Sequence, residues 1–150
     1  RDWSSDVCSS ELCRMFTASH ETWIWASKSK KAKHTFNYDD MRMGSFPNDF
    51  IKNPGKQMRS IWSITTPGKS EKLHGKHPTQ KPLTLLDRIV LASSNPGDVI
   101  LDPFSGSATT GVSAIMNNRR YIGIDLDADF IENLAIPRIE DAEAVKESVL

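Results

Sequence analysis

Val99-Ile100-Leu101-Asp102-Pro103-Phe104-Ser105-Gly106-Ser107-Ala108-Thr109-Thr110 is the stretch that decides the fold. Three β-prone apolar residues run into Asp102, a turn of Pro, Ser and Gly follows, and a helix-like run starts at Thr109. The pattern predicts a strand, a tight loop and a helix N-terminus. Such a junction sets free backbone N–H groups and a carboxylate at the carboxyl end of a parallel strand, where open α/β sheets bind small polar ligands. A second strand is predicted at Tyr121-Ile122-Gly123-Ile124. Asp125 ends it, nineteen positions after Gly106, a spacing suited to an acid that accepts hydrogen bonds from ribose hydroxyls.

Working outward, the stretch is preceded by His77-Pro78-Thr79-Gln80-Lys81-Pro82-Leu83 and followed by the Asp125 strand. Together these residues resemble the cofactor half of an amino-methylating DNA methyltransferase of the permuted, or β-class, type. In that order the catalytic half comes first, a target-recognition segment second and the S-adenosylmethionine motifs last. The resemblance covers roughly residues 13–139 and implies an α/β fold: an incomplete Rossmann-like methyltransferase sheet with an irregular basic recognition insert. It also implies S-adenosylmethionine as cofactor, with Thr79, Gln80, Lys81, Asp102, Phe104, Gly106, Ser107, Thr109 and Asp125 as candidate binding residues. Thr79, Gln80 and Lys81 are expected beside the methionine end. Asp102, Gly106 and Thr109 should line one pocket between that loop and Asp125, because all lie at carboxyl ends of adjacent strands. One departure stands out: Ala108 occupies a position where the family usually has Gly. If its φ is positive it is strained; if negative the change is nearly harmless.

Composition fits one globular domain, with 150 residues, 38% apolar and 25% charged. No apolar run is long enough to span a membrane, and Cys8 and Cys13 are too few for a disulfide framework. A cytoplasmic, bacterial or phage-type setting is expected. The net charge of zero conceals an asymmetry: residues 28–81 hold twelve Lys and Arg against four acids, a balance of +8, whereas residues 82–150 hold five against eleven, a balance of −6. A basic segment beside a cofactor fold suits a polyanion, since phosphate neutralisation supplies most non-specific nucleic-acid affinity. Lys30, Lys31, Lys33, Arg42, Lys56 and Arg59 are the candidate contacts to double-stranded DNA. A solvated Lys-rich loop is the bland alternative. The resemblance adds a cognate restriction endonuclease as an expected partner; no metal site and no membrane contact are expected.

Residues 1–12 have no amphipathic period. They resemble the in-frame translation of a common sequencing adapter, Asp-Trp-Ser-Ser-Asp-Val-Cys-Ser-Ser-Asp-Leu, departing from it only at Glu11. They read as non-native sequence, with the natural polypeptide entering near Cys13. Family members carry Asp-Pro-Pro-Tyr in the catalytic loop, where the acid and a carbonyl accept from the target amino group and the aromatic ring stacks on a flipped base. No Pro-Pro pair occurs in this chain, so no catalytic residue is assigned. That loop is expected upstream of Cys13, and the chain alone is expected to transfer no methyl group.

The remaining segments are read in order. Residues 13–27 contain Met15-Phe16-Thr17-Ala18 and Thr22-Trp23-Ile24-Trp25-Ala26 and are predicted as an antiparallel hairpin ending the catalytic half. Residues 28–76 read as the target-recognition region, irregular because Gly and Pro break every candidate helix, with one strand at Ser60-Ile61-Trp62-Ser63-Ile64. Residues 77–139 form the cofactor half. Its first helix starts at Pro82 and buries Leu83, Leu86, Ile89 and Val90. The next spans Thr109 to about Met116 and stops at Asn117-Asn118. Asp127 or Asp129 can cap a last helix, which Pro137 should break or kink. Residues 140–150 are an acidic, helix-permissive tail.

Two further readings stay open. Gly106-x-Ala108-x-x-Gly111 loosely fits a nicotinamide-dehydrogenase fingerprint, against which Pro103-Phe104 and the Pro-Thr-Gln-Lys-Pro loop argue. A non-enzymatic DNA-binding piece is the other; there the Val99 strand should show an exposed edge and an uncovered apolar face.

Overall fold

The computed structural model describes residues 20–43, 55–56 and 58–149. The chain divides into two units, residues 1–32 and 33–150. In the first, residues 20–26 form no helix or strand, and a turn follows in which Ser27 Oγ and the Ala32 N–H both donate to the Ser29 carbonyl at 3.0 and 3.1 Å. The hairpin expected over residues 13–27 is therefore not formed by its second run; its first run, like the adapter-like residues 1–12, lies outside the described residues.

The second unit is built on helices α1 (Tyr38–Met43), α2 (Leu83–Ser93), α3 (Thr109–Met116), α4 (Ala128–Phe130) and α5 (Ile136–Val149), with strands β1 (Val99–Asp102) and β2 (Arg120–Gly123). The strands pair in parallel, Val99 opposite Arg120 and Asp102 opposite Gly123. A parallel pair needs a crossover, and α3 is that crossover, packed on both strands and flanked by α2 and α5. The core lies in this helical layer: Leu85, Leu86 and Val90 of α2, Ala114 and Ile115 of α3, and Leu134, Ala135 and Ala142 near the carboxyl end are buried.

Helix α2 begins one residue later than expected, with Pro82 as the extended N-cap; the Leu83 N–H donates to the Glu71 carboxylate at 2.7 Å. Its buried face also differs. Leu86 and Val90 are buried as expected, but Leu85, Arg88 and Ala92 join them while Leu83 and Ile89 are only half-buried. The helix is covered from two sides, by α1 and α3, and the Arg88 guanidinium stacks over the Trp62 ring at 4.6 Å, so burial extends around it. Trp62 is thus part of the packing. Its strand is not formed: residues 60–64 alternate in exposure without a ladder partner, with Trp62 and Ile64 turned inward and Ile61 outward.

The recognition region, expected to be irregular, holds α1 and a 3-10 turn at Lys69–Lys72. Asn37 explains α1: its carbonyl accepts from Met41 N–H, while its side-chain amide donates to the carbonyls of Leu91 and Ser94, both at 2.8 Å, closing the end of α2. Phe46, Phe50 and Lys52 of the same region lie outside the described residues.

At the carboxyl end Asp127 caps α4, accepting from the Asp129 N–H at 3.0 Å. Pro137 does not break the helix. A π-turn at Ile131–Ala135 precedes it, with the Ile136 N–H bonded to the Ile131 carbonyl, and α5 continues to Val149. The wider turn places the missing proline N–H where the hydrogen-bond ladder is already shifted. Residues 140–149, the acidic tail of the sequence reading, are the greater part of α5.

Candidate functional site

The loop between β1 and α3 is held from three sides. At its base Asp102 accepts from the Phe104 N–H at 3.0 Å and from the Thr110 hydroxyl at 2.6 Å, so its carboxylate closes the turn and sits at the positive end of α3. The chain after β2 runs alongside: Ile124 N–H donates to the Asp102 carbonyl and Ser105 N–H to the Ile124 carbonyl, both at 2.9 Å. Gly106 N–H then donates to Asp125 Oδ2 at 2.6 Å, while Asp125 Oδ1 accepts from the Asp127 N–H at 3.1 Å. These backbone bonds, that from Asp127 foremost and that from Gly106 next, hold the Asp125 carboxyl below the usual carboxylate range. Asp125 therefore faces Gly106, as the strand order requires.

Two residues of the loop are left-handed. Gly106 has φ +48°, and a Cβ there would lie 3.1 Å from the His77 ring. Ala108 has φ +53° and is buried as the N-cap of α3, so the positive-φ case holds and the alanine is strained. Opposite, the Thr79 N–H and hydroxyl both approach His77 Nδ1 at 3.3 Å, and the His77 ring meets Phe130 edge-on at 4.5 Å. The Pro-Thr-Gln-Lys-Pro loop thereby reaches Gly106 through His77. Gln80 turns the other way: it is buried, and its amide donates to the Glu71 carbonyl at 2.8 Å.

The other sequence candidates divide by exposure. Phe104 is 88% exposed beside Asp102, and Thr79 is exposed, whereas Ser107 and Thr109 are buried. Their hydroxyls lie 3.3 Å apart, and Arg138 of α5 donates to the Ser107 carbonyl and to the Thr109 hydroxyl. Burial pushes the Arg138 pKa down. No sequence motif marks Arg138, which reaches the loop from α5 just after the π-turn. Also unforeseen is an apolar cavity of about 170 Å³ between the end of β2 and α5, walled by Tyr121, Gly123, Ile136 and Ile139, with Ser105 and Asp125 on its rim.

Of the basic candidates, Lys30, Lys31, Lys33, Lys56 and Arg59 are exposed. Arg42 is engaged inside its own unit, where Nε donates to the Gly55 carbonyl at 2.6 Å and the guanidinium lies 5.4 Å over the Tyr38 ring.

The type II methyltransferase M2.MboI of Moraxella bovis is 49% identical over 120 residues, 80% of this chain and 41% of the relative. M2.DpnII of Streptococcus pneumoniae is 50% identical over 129 residues, 85% of this chain and 45% of the relative. The chain spans less than half the length of these curated relatives. Among solved structures, the M1.HpyAVI–SAM complex is similar at 40% identity with a TM-score of 0.40, over 43% of this chain and 33% of that one. A model of the N6/N4 DNA methylases matches residues 3–136, a span that starts within the adapter-like stretch. With nearly all of its length so matched, the chain belongs to the N6/N4 DNA methylase family.

Proposed function

We propose that this chain is the donor-binding part of an S-adenosylmethionine-dependent DNA methyltransferase that acts on an exocyclic amino group, adenine N6 ahead of cytosine N4. The observation that carries this reading is the 2.6 Å bond from the Gly106 N–H to Asp125, which joins the loop after β1 to the acid after β2. The residues fit the donor. Asp125 accepts from the Gly106 and Asp127 N–H groups and keeps lone-pair capacity for a ribose hydroxyl, and exposed Phe104 offers an apolar face on the loop after β1. Thr79 and Lys81, in the loop that carries His77, are proposed to hold an α-carboxylate. Ser107 and Thr109 act from behind, fixing the start of α3 through Arg138, and Gln80 fixes the loop base through Glu71.

When bound there, S-adenosylmethionine supplies an electrophilic sulfonium methyl for direct attack by the amino nitrogen. This chain's own contribution is orientation: Asp125 fixes the nucleoside end, and the loop fixes the rest. The acceptor base, flipped from double-stranded DNA, belongs with the Asp-Pro-Pro-Tyr loop of the family. Lys30, Lys31, Lys33, Lys56 and Arg59 are proposed to contact phosphates, with Arg42 bracing Gly55 instead. A bacterial cytoplasm and a restriction endonuclease of matching specificity complete the proposed setting.

The test is calorimetric titration of the purified chain with S-adenosylmethionine, and transfer of labelled methyl to mixed-sequence DNA by the chain alone and with the rest of a relative's length joined to it. Binding that is lost in Asp125→Ala, and transfer only by the extended protein, are the expected results. A chain that binds no donor in either form, or a fragment as active as the extended protein, overturns the reading.

A further inference from the structure

We propose that Tyr121 is a positioning residue for the donor site, setting the Gly106 loop through the hydroxyl of Ser105. This rests on the reading that the loop and Asp125 hold the cofactor. The phenol ring has one seat. A Cβ at Gly111 would lie 2.5 Å from Tyr121 Cε1 and one at Gly123 would lie 2.5 Å from its hydroxyl, so both glycines exist as room for this ring, one on α3 and one on β2. From that seat the hydroxyl is 2.7 Å from Ser105 Oγ.

Ser105 is consequently fixed at three atoms. Its N–H donates to the Ile124 carbonyl, its carbonyl accepts from the Ala108 N–H at 2.8 Å, and its side chain is committed to Tyr121. The next residue supplies the N–H that reaches Asp125. A ring of bonds thus runs from β2 through Tyr121, Ser105 and Gly106 to Asp125 and back to β2. Nothing in the motif marks this role: the strand needs only a β-prone residue at position 121, and a phenylalanine would serve the packing equally well.

Tyr121→Phe is therefore the decisive variant, since it keeps the ring and removes only the oxygen. The measurements are amide hydrogen exchange at Gly106 in the ligand-free chain and the affinity for S-adenosylmethionine. Roughly fivefold faster Gly106 exchange and roughly fivefold weaker binding are expected, the size of one neutral hydrogen bond, with the melting temperature lowered by only about 2–4 °C. Ser105→Ala should match it, and the double variant should be no worse than either single, because both remove the same bond. Unchanged Gly106 exchange in Tyr121→Phe, or additive effects in the double variant, overturns the proposal. If the unaltered chain binds no donor, the functional reading fails, while the exchange measurement still decides whether Tyr121 sets the loop.

Discussion

Replacing Gly106 by alanine tests the geometry of the loop most directly. Two costs are separable. At φ +48° an L-residue gives up about 1–2 kcal/mol relative to glycine. The new Cβ would also stand 3.1 Å from His77 Cε1 and Nε2, and the ring has little freedom to retreat, with Phe130 at 4.5 Å and the Thr79 N–H on Nδ1. A shift of a few tenths of an ångström relieves the contact, so the overpacking cost belongs at the lower end of about 1–3 kcal/mol. The sum is about 2–4 kcal/mol, a large fraction of a total stability of about 5–15 kcal/mol. Gly97→Ala is the control: its φ is +89° but nothing lies within 4 Å of the added atom, so only the backbone cost of about 1–2 kcal/mol remains. Urea unfolding followed by circular dichroism measures both, and the pair His77→Ala, Gly106→Ala should lose only the backbone part relative to His77→Ala alone. If Gly106→Ala costs no more than Gly97→Ala, or if removing His77 returns nothing, the contact between the two loops is not what the structure says.

Arg138→Met should lower stability by about 1–3 kcal/mol, the cost of leaving the buried Ser107 carbonyl without its donor, partly offset because the desolvated guanidinium is removed as well; a rise in melting temperature would mean that its burial costs more than its bonds return. Ala108→Gly relieves the left-handed strain, about 1–2 kcal/mol, but gives up a buried methyl worth about 0.8 kcal/mol, so a gain of at most about 1 kcal/mol is expected, whereas Ala108→Val, β-branched at the same φ, should unfold the loop; equal melting of the two variants would contradict a positive φ. Asp125 has its folded pKa depressed by the Asp127 and Gly106 N–H groups, so it contributes stability that is present above the unfolded carboxylate pKa of about 3.9 and is lost as pH falls through the lower folded value. Asp125→Asn should accordingly melt below the unaltered chain at neutral pH, the gap closing in acid; a gap that widens in acid would reverse the sign.

The part of the fold that sequence revealed is the part whose instructions are local. Val99 to Leu101 form β1 because an apolar run meets turn chemistry at Asp102-Pro103, and Thr109 to Met116 form α3 with the bounds the pattern gives. Asp125 meets Gly106 because both follow adjacent parallel strands. What failed depended on a partner far along the chain. Residues 60–64 alternate like a strand, but alternation does not supply a neighbour to pair with. Helix α1 was hidden by the surrounding Gly and Pro, and it forms because Asn37 anchors it to the end of α2, 54 residues on. Arg138 and Tyr121 carried no signal, since a buried guanidinium and a seated phenol are recognisable only when the cavity around them is known. Asp87 is a similar case: Ser113 and Asn117 donate to it across α2 and α3 while burial pushes its carboxyl up, a pairing no spacing rule indicates.

The sheet shows how burial is written into a strand. Parallel strands are normally covered on both faces and so read as continuous apolar runs, which is how Val99-Ile100-Leu101 and Tyr121-Ile122-Gly123-Ile124 read. Among the described residues only one face is covered, by α3. On the other, Val99 and Leu101 lie in the register of Ile122 and its neighbours, and Val99, Leu101, Ile122 and Ile124 are 45–60% exposed. Tyr121 and Gly123 share the side of β2 on which Gly111 of α3 leaves room for the ring, while the bulky aliphatics stand on the other side, where the described residues place nothing. A sequence shaped by solvent on that face would alternate with polar residues; this one does not. The apolar pattern is that of a strand buried twice, and the curated relatives carry more than half of their length beyond the span they share with this chain.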